Sequence, residues 1–376
     1  MPIQAHEIPC QEGAIGLVTL DAPDRLNALS AEMIEDFQTA LENWAHSPRV
    51  CLVVIQGAGD RAFCAGGDVR QLYEALASDG DPEKAARYFA REYHLDYSLH
   101  RFPKPVVTLA HGAVMGGGLG LLSASRYRLI TADTLMAMPE ITIGLFPDVG
   151  ASWFLNRLPG RLGLFLGLTG AHLNASDALR AGLADAVLRD KGPELIERLQ
   201  EERWSGDCAI DDSRLYRLVQ QLEHPDYRAL PESNLARHEQ AIARLSSGET
   251  LPEIVDQLLL AQEDSPWWQA AIKNLREGCP VTAWLVWTQL KKSRQMPLKD
   301  IFRMELAMAS QCTRRPDFRE GIRARLVDRD QSPHWSFASV SEVPEDIIDA
   351  HFLPKYDDDT DPMGLDSVFS QISAPA

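Results

Sequence analysis

The chain has 376 residues and a net charge of −17. That balance excludes an ordinary nucleic-acid binder, which shows a basic face, but not an anionic small ligand held by a few local cations. A composition 45% hydrophobic and 24% charged is that of a globular protein. The length allows a sizeable core, as one large domain or as a core with an appendage.

The six cysteines are Cys10, Cys51, Cys64, Cys208, Cys279 and Cys312. No two stand as C-x-x-C, so they read as free thiols of a reducing compartment. The N-terminal MPIQAHEIPCQEG has no basic stretch followed by an apolar run. No apolar run reaches the roughly 18 residues of a membrane span. The expectation is a cytoplasmic protein with no membrane or nucleic-acid partner.

In chain order, residues 14–20 (AIGLVTL) read as a strand and 22–29 as a turn-rich loop. Ser30 is a candidate N-cap for a helix to about His46, with Met33, Phe37, Leu41 and Trp44 at helical spacing. Residues 49–56 (RVCLVVIQ) are a continuous apolar run, as in a strand buried on both faces. Gly66 and Gly67 then precede Asp68, a candidate cap for a helix with Val69, Leu72, Tyr73 and Leu76 on one face. A helix lies within residues 79–103, and strands at 105–109 and 127–131. Residues 162–169 and 175–181 read as helices, and 183–188 as a last strand. Alternation of strand and helix predicts an α/β layered domain to about residue 200. Residues 201–376 form a mainly helical region broken at prolines, with a solvated acidic tail around DDDTD, 357–361.

The chemistry-bearing stretch runs from His111 to Ser152. It holds Gly116, Gly117 and Gly118, then Pro139-Glu140 and Pro147-Asp148. A glycine turn opening a helix aims free N–H groups and the positive end of the dipole at one point. That suits a developing oxyanion, with a nearby carboxylate as base or nucleophile. The competing reading is a strand-to-helix turn that uses glycine only for packing. The second glycine turn, at Gly66-Gly67, has the same construction. GGGLGL does not fit G-x-G-x-x-G, His238-Glu239 fails H-E-x-x-H at Ile242, and no G-x-S-x-G is present. His111 reads as structural. Cys64, without a neighbouring lysine or histidine, reads as packing.

The pieces DRLNALS (24–30), RAFCAGGDVR (61–70), KPVVTLAHGAVMGGGLGL (104–121), MPEITIGLFPDVGA (138–151) and LTGAHLNASDALRAGLADAVL (168–188) form a recognisable constellation. On them the chain resembles the crotonase (enoyl-CoA hydratase/isomerase) superfamily over about residues 12–190, and again at DFREGIRARLVDRDQSPHW (317–335). Within it, PEITIGLFPDVGA, REYHLDYSLHRFPKP (91–105), the long helical insertion and DRDQSP (328–333) are most similar to the 3-hydroxyisobutyryl-CoA hydrolase branch. The resemblance implies a ββα spiral core and an acyl-CoA substrate. It implies no separate cofactor, since coenzyme A is part of the substrate, and no metal. It also implies a homo-oligomer, unless the helical insertion covers that interface.

Residue by residue, it implies Gly67 and Gly117 as oxyanion donors and Glu140 as base or nucleophile. It implies Glu92 and Asp148 as further substrate-binding groups, and Arg25, Leu26, Ala65 and Val69 along coenzyme A. Asp148 as a mere cap of the following turn is the plain alternative. Hydratases of the superfamily carry a second Glu where this chain has Gly120, which counts against hydration of a double bond. Each oxyanion donor contributes roughly 2.7–4 kcal/mol in comparable sites. Glu140, among Met136, Met138, Ile141, Leu145 and Phe146, would be desolvated and so more basic. Water activation and direct attack to an acyl anhydride both remain open, as do other enzymes of the superfamily and a non-catalytic CoA-binding role.

Overall fold

The structure, a computed structural model, describes residues 2–77, 80–354 and 361–370. Residues 357–360 of the acidic tail lie outside the described residues. The run at 50–57 explains the layering. Val53 and Ile55 enter one apolar core, and Leu52 and Val54 a second on the opposite face. A strand covered on both faces needs no polar alternation, hence the unbroken apolar reading.

Among the described residues, ten strands make two sheets: β1 (Ile3–Cys10), β2 (Gly13–Leu20), β3 (Val50–Gly57), β4 (Ala62–Cys64), β5 (Val106–Ala110), β6 (Ala113–Met115), β7 (Tyr127–Thr131), β8 (Leu135–Ala137), β9 (Leu173–Asn174) and β10 (Ala186–Leu188). The larger sheet has the order β1-β2-β3-β5-β7-β10, parallel except for β1 on β2. The smaller has the order β4-β6-β8-β9, with β9 antiparallel. Successive strands β3/β4, β5/β6 and β7/β8 fall in different sheets, and helices follow each pair. This is the ββα spiral that the resemblance implies, in an α/β fold.

The helices of the first half are α1 (Ala31–His46), α2 (Val69–Ala75), α3 (Pro82–His100), α4 (Gly117–Ser123), α5 (Ala151–Phe154), α6 (Leu162–Thr169) and α7 (Ala175–Ala181). Ser30 and Asp68 cap as expected, accepting from Met33 N and Gln71 N. Then follow α8 (Pro193–Glu201), α9 (Cys208–Leu222), α10 (Asn234–Leu245), α11 (Leu251–Leu260), α12 (Pro266–Glu277), α13 (Pro280–Lys292), α14 (Leu298–Cys312), α15 (Pro316–Ile322) and α16 (Glu345–His351). Leu195, Leu199, Leu215, Leu218 and Leu222 of α8 and α9 cover the far face of the larger sheet. Residues of α10 to α15 join the same core as α1 and α3.

Three local expectations are corrected. The edge strand β1 is absent from the sequence reading, because most of its residues are exposed and no alternation marks it. The strand expected from 183 begins only at Ala186; Gly182, in the left-handed region, closes α7 just before. Pro252, Pro266 and Pro280 occupy the first turns of α11, α12 and α13, where a missing N–H costs nothing, so they start helices rather than break them.

Candidate active site

The two glycine turns abut. A Cβ on Gly66 would lie 3.4 Å from Gly117 N, and one on Gly117 would lie 3.5 Å from Gly67 N. Gly66 and Gly116 have φ of +94° and +48°, which an L side chain rarely adopts. Among the described residues, neither Gly67 N–H nor Gly117 N–H donates a backbone hydrogen bond. Gly117 is the first residue of α4, so its N–H has no partner within the helix. Two unspent donors thus open on one cavity of about 400 Å³.

Ala65, Gly67, Val69, Glu92, Gly117, Glu140 and Asp148 all line that cavity. Arg25 and Leu26 do not. They stand beside it: the Leu26 carbonyl accepts from Ala65 N, and Arg25 pairs with Asp68 at 3.2 Å. Glu140 opens a short 3-10 turn, Glu140–Ile143, after β8, and is buried. Its Oε1 lies 2.8 Å from where a Cβ on Gly116 would stand, and its Oε2 has no hydrogen-bond partner. Burial pushes the Glu140 carboxyl well above the usual carboxylate range, and Asp148 and Glu92 push it further.

Glu92 faces the same point from α3. Its Oε1 is unpartnered and lies 2.5 Å from where a Cβ on Gly117 would stand. Burial, then Asp148, raises it well above its ordinary range. Asp148 accepts a 2.7 Å hydrogen bond from Tyr93 Oη. Burial pushes Asp148 up to about 7, against that hydroxyl and its own N–H. Its carboxyl does not cap α5: Gly150 is the N-cap residue there, with no side-chain cap. Cys64 is buried and its thiol is pushed up to about 12 by burial, so it packs rather than attacks. His111 is buried outside the cavity lining.

Several groups at the site are not singled out by sequence reasoning. On α3, Tyr88 and Asp96 stand four residues either side of the expected Glu92, a spacing that could have flagged one functional face. Tyr88 Oη donates to Leu29 O at 2.8 Å and lines the cavity. Asp96 is buried behind it with both oxygens unpartnered. His172, Asn274, Arg325 and Leu326 also line the cavity, the last three from the C-terminal half. Gly321 explains part of the REGIRARL likeness: a Cβ there would meet the backbone of Ile143, the last residue of the Glu140 turn.

A second cluster has the geometry of a hydrolase triad. Ser265 Oγ lies 2.7 Å from His238 Nε2, and His238 Nδ1 lies 3.5 Å from Glu263. Ser265 is the N-cap of α12, and the His238 ring stacks on Trp267. His238 and Ser265 are both buried, and neither lines the cavity at the glycine turns, so the cluster stands apart from that site.

A family model described as enoyl-CoA hydratase/isomerase matches residues 15–352. The 3-hydroxyisobutyryl-CoA hydrolase, mitochondrial, of Gallus gallus is 37% identical over 92% of this chain and 88% of its own length. The Homo sapiens protein of that name is 36% identical over 91% of this chain and 87% of its own. A solved enoyl-CoA hydratase from Rhodobacter sphaeroides 2.4.1 superposes with TM-score 0.77 at 33% identity, covering 93% of this chain and 97% of its own. A carnitinyl-CoA dehydratase from Mycobacterium thermoresistibile gives 0.80 at 31%, covering 94% and 96%. By sequence, fold and the paired glycine turns, the chain belongs to the enoyl-CoA hydratase/isomerase family.

Proposed function

We propose that the chain is an acyl-CoA thioester hydrolase acting on a short 3-hydroxyacyl-CoA. The proposed substrate is 3-hydroxyisobutyryl-CoA, cleaved to 3-hydroxyisobutyrate and CoA as in valine degradation. The observation that carries this reading is the meeting of two unspent N–H donors, Gly67 and Gly117, with the Glu140 carboxyl, whose Oε2 is unpartnered, and with Asp148 in one cavity. The named hydrolase relatives supply the substrate class.

The thioester carbonyl oxygen sits between the Gly67 and Gly117 N–H groups. Attack on the carbonyl carbon places negative charge on that oxygen, where the fixed donors stabilise it. The C–S bond then breaks, and the CoA thiolate takes the proton that Glu140 drew from the attacking water or, in the anhydride route, a proton of the water that opens the anhydride. Glu140, made basic by burial, removes the proton from the attacking water or attacks first to give an anhydride that water opens. Single turnover in ¹⁸O-water separates the two, because only the anhydride route can leave label in the Glu140 side chain. Asp148 and Glu92 receive the substrate hydroxyl. Coenzyme A runs past Ala65 and Val69 towards Arg25 and Leu26.

The second reading is hydration or isomerisation of an enoyl-CoA, favoured by the likeness to the solved Rhodobacter sphaeroides enoyl-CoA hydratase. Against it, Gly120 supplies no second carboxylate, and Val149 fills the space beside it: a Cβ on Gly120 would lie 2.7 Å from Val149 Cβ. Following free thiol across a panel of acyl-CoA esters tests the proposal. Release from 3-hydroxyacyl esters is expected. Loss of enoyl absorbance with crotonyl-CoA and no thiol release would reverse it.

Among the described residues no helix is long and apolar enough to cross a membrane. The curated relatives are named mitochondrial, and the unpaired cysteines suit any reducing compartment, the proposed cytoplasm included.

A further inference from the structure

The residue after Asp148 is in a conformation that its own side chain disfavours. Val149 has φ +52°, a region that a β-branched residue rarely enters. Its side chain packs into the space beside Gly120, where a Cβ would come within 2.9 Å of Val149 Cγ2. The chain then passes through Gly150, at φ +84°, into α5. The N–H groups of Gly150 and Ser152 both end on one carboxylate, Glu305, at 2.7 and 2.9 Å.

Glu305 lies on α14, 155 residues from Gly150 in sequence, and is fully buried. Burial pushes the Glu305 carboxyl up to about 8, against the Ser152 side chain and the backbone donors of Gly150 and Ser152. Asp148 raises it further, and Glu305 in turn raises Asp96 and Tyr93. Backbone strain of this kind persists only where the surroundings over-determine it. Two surroundings do so here: the absent side chain at Gly120 and the two hydrogen bonds to Glu305.

We propose that Glu305 is a positioning residue of the active site, which clamps the Asp148–Val149–Gly150 turn through Gly150 N–H and Ser152 N–H and so aims the Asp148 carboxyl into the cavity. Tyr93 holds the same carboxyl from α3. The clamp also makes the turn and a second carboxylate at position 120 mutually exclusive, since Val149 occupies the space that side chain would need. The inference rests on the proposed function only in giving Asp148 the substrate hydroxyl to hold.

Glu305→Gln tests it, because the amide keeps the size but sets an NH₂ group against one of the two N–H donors. On a 3-hydroxyacyl-CoA, kcat/KM is expected to fall by about 10²-fold, the scale of a misplacement near 1 Å. The matched acyl-CoA without the hydroxyl should lose much less. Adding Asp148→Asn should lower the hydroxyl preference no further, because both changes act through one group. Val149→Gly, which removes the left-handed strain, should restore part of the loss when combined with Glu305→Gln, and it serves as the second variant if Glu305→Gln folds poorly. Equal losses on both thioesters, or full additivity with Asp148→Asn, overturn the proposal. Binding of the two thioesters to Glu140→Gln, with and without Glu305→Gln, needs no turnover and separates this proposal from the hydrolase reading. A crystal structure of Glu305→Gln that keeps Val149 near its present φ and the Tyr93–Asp148 bond intact also overturns the clamp, whatever the kinetics.

Discussion

Tyr93 Oη donates a 2.7 Å hydrogen bond to Asp148 Oδ2, so a phenol on α3 steadies a carboxyl that burial has pushed up to about 7. The bond favours the ionised form. Tyr93→Phe should raise the Asp148 value further. If ionised Asp148 receives the substrate hydroxyl, kcat/KM for 3-hydroxyacyl-CoA rises with pH through that value. The limb should therefore move to higher pH in Tyr93→Phe and be reshaped in Asp148→Asn. The limb belongs to the coupled group of carboxyls, so the full pH profile of each variant is the measurement. An unmoved limb in Tyr93→Phe counts against the assignment.

Asp96 gives a stability prediction. It is buried, both its oxygens are unpartnered, and burial followed by Glu92 raises it well above its ordinary 3.8. Above pH 4 the unfolded chain releases this proton while the folded chain keeps it. The folded state then binds more protons, so stability falls as pH rises towards the raised value. The slope for one proton is about 1.4 kcal/mol per pH unit. Asp96→Asn removes that slope. Its stability relative to wild type should climb between pH 4 and pH 8 in denaturant titrations. A constant difference across that range contradicts the burial argument.

Gly120→Glu should not create a hydratase. A Cβ at that position meets Val149 Cβ at 2.7 Å, and forced overpacking costs typically 1–3 kcal/mol. The variant should melt lower and show no gain in crotonyl-CoA hydration. Gly120→Glu with Val149→Gly makes room and should recover the melting temperature. Unchanged stability of the single variant would mean that the Val149 turn yields freely.

Much of the fold is legible in the sequence because local rules and tertiary packing agree. Ser30 and Asp68 are caps in both, and the bounds of α6 and α7 are as read. The second sheet is hidden, since β4, β6, β8 and β9 have three residues or fewer, too short for periodicity to register. Within the site, Gly67, Gly117, Glu140 and Asp148 lie in three of the pieces that carry the family resemblance, which marks them as candidates. Tyr93 and Asp96 lie in a matched segment but carry no mark beyond helical spacing. Glu305 has no local signal, because its partners are brought to it only by the packing of α14 on α3 and α5.

Gly117→Pro removes one proposed oxyanion donor and leaves Glu140 in place. Turnover in the purified, folded variant should fall by about 10²-fold or more. Activity within roughly tenfold of wild type would dissolve the oxyanion role.

The central claim is that Glu140 performs thioester hydrolysis, and release of CoA thiol from 3-hydroxyisobutyryl-CoA by wild type and Glu140→Gln tests it most directly. Glu140→Gln keeps the shape and removes the base. The account predicts thiol release by wild type and a fall in kcat of at least about 10²-fold in the variant, with substrate still bound. Equal rates in the two proteins would contradict it and leave CoA binding without this catalysis.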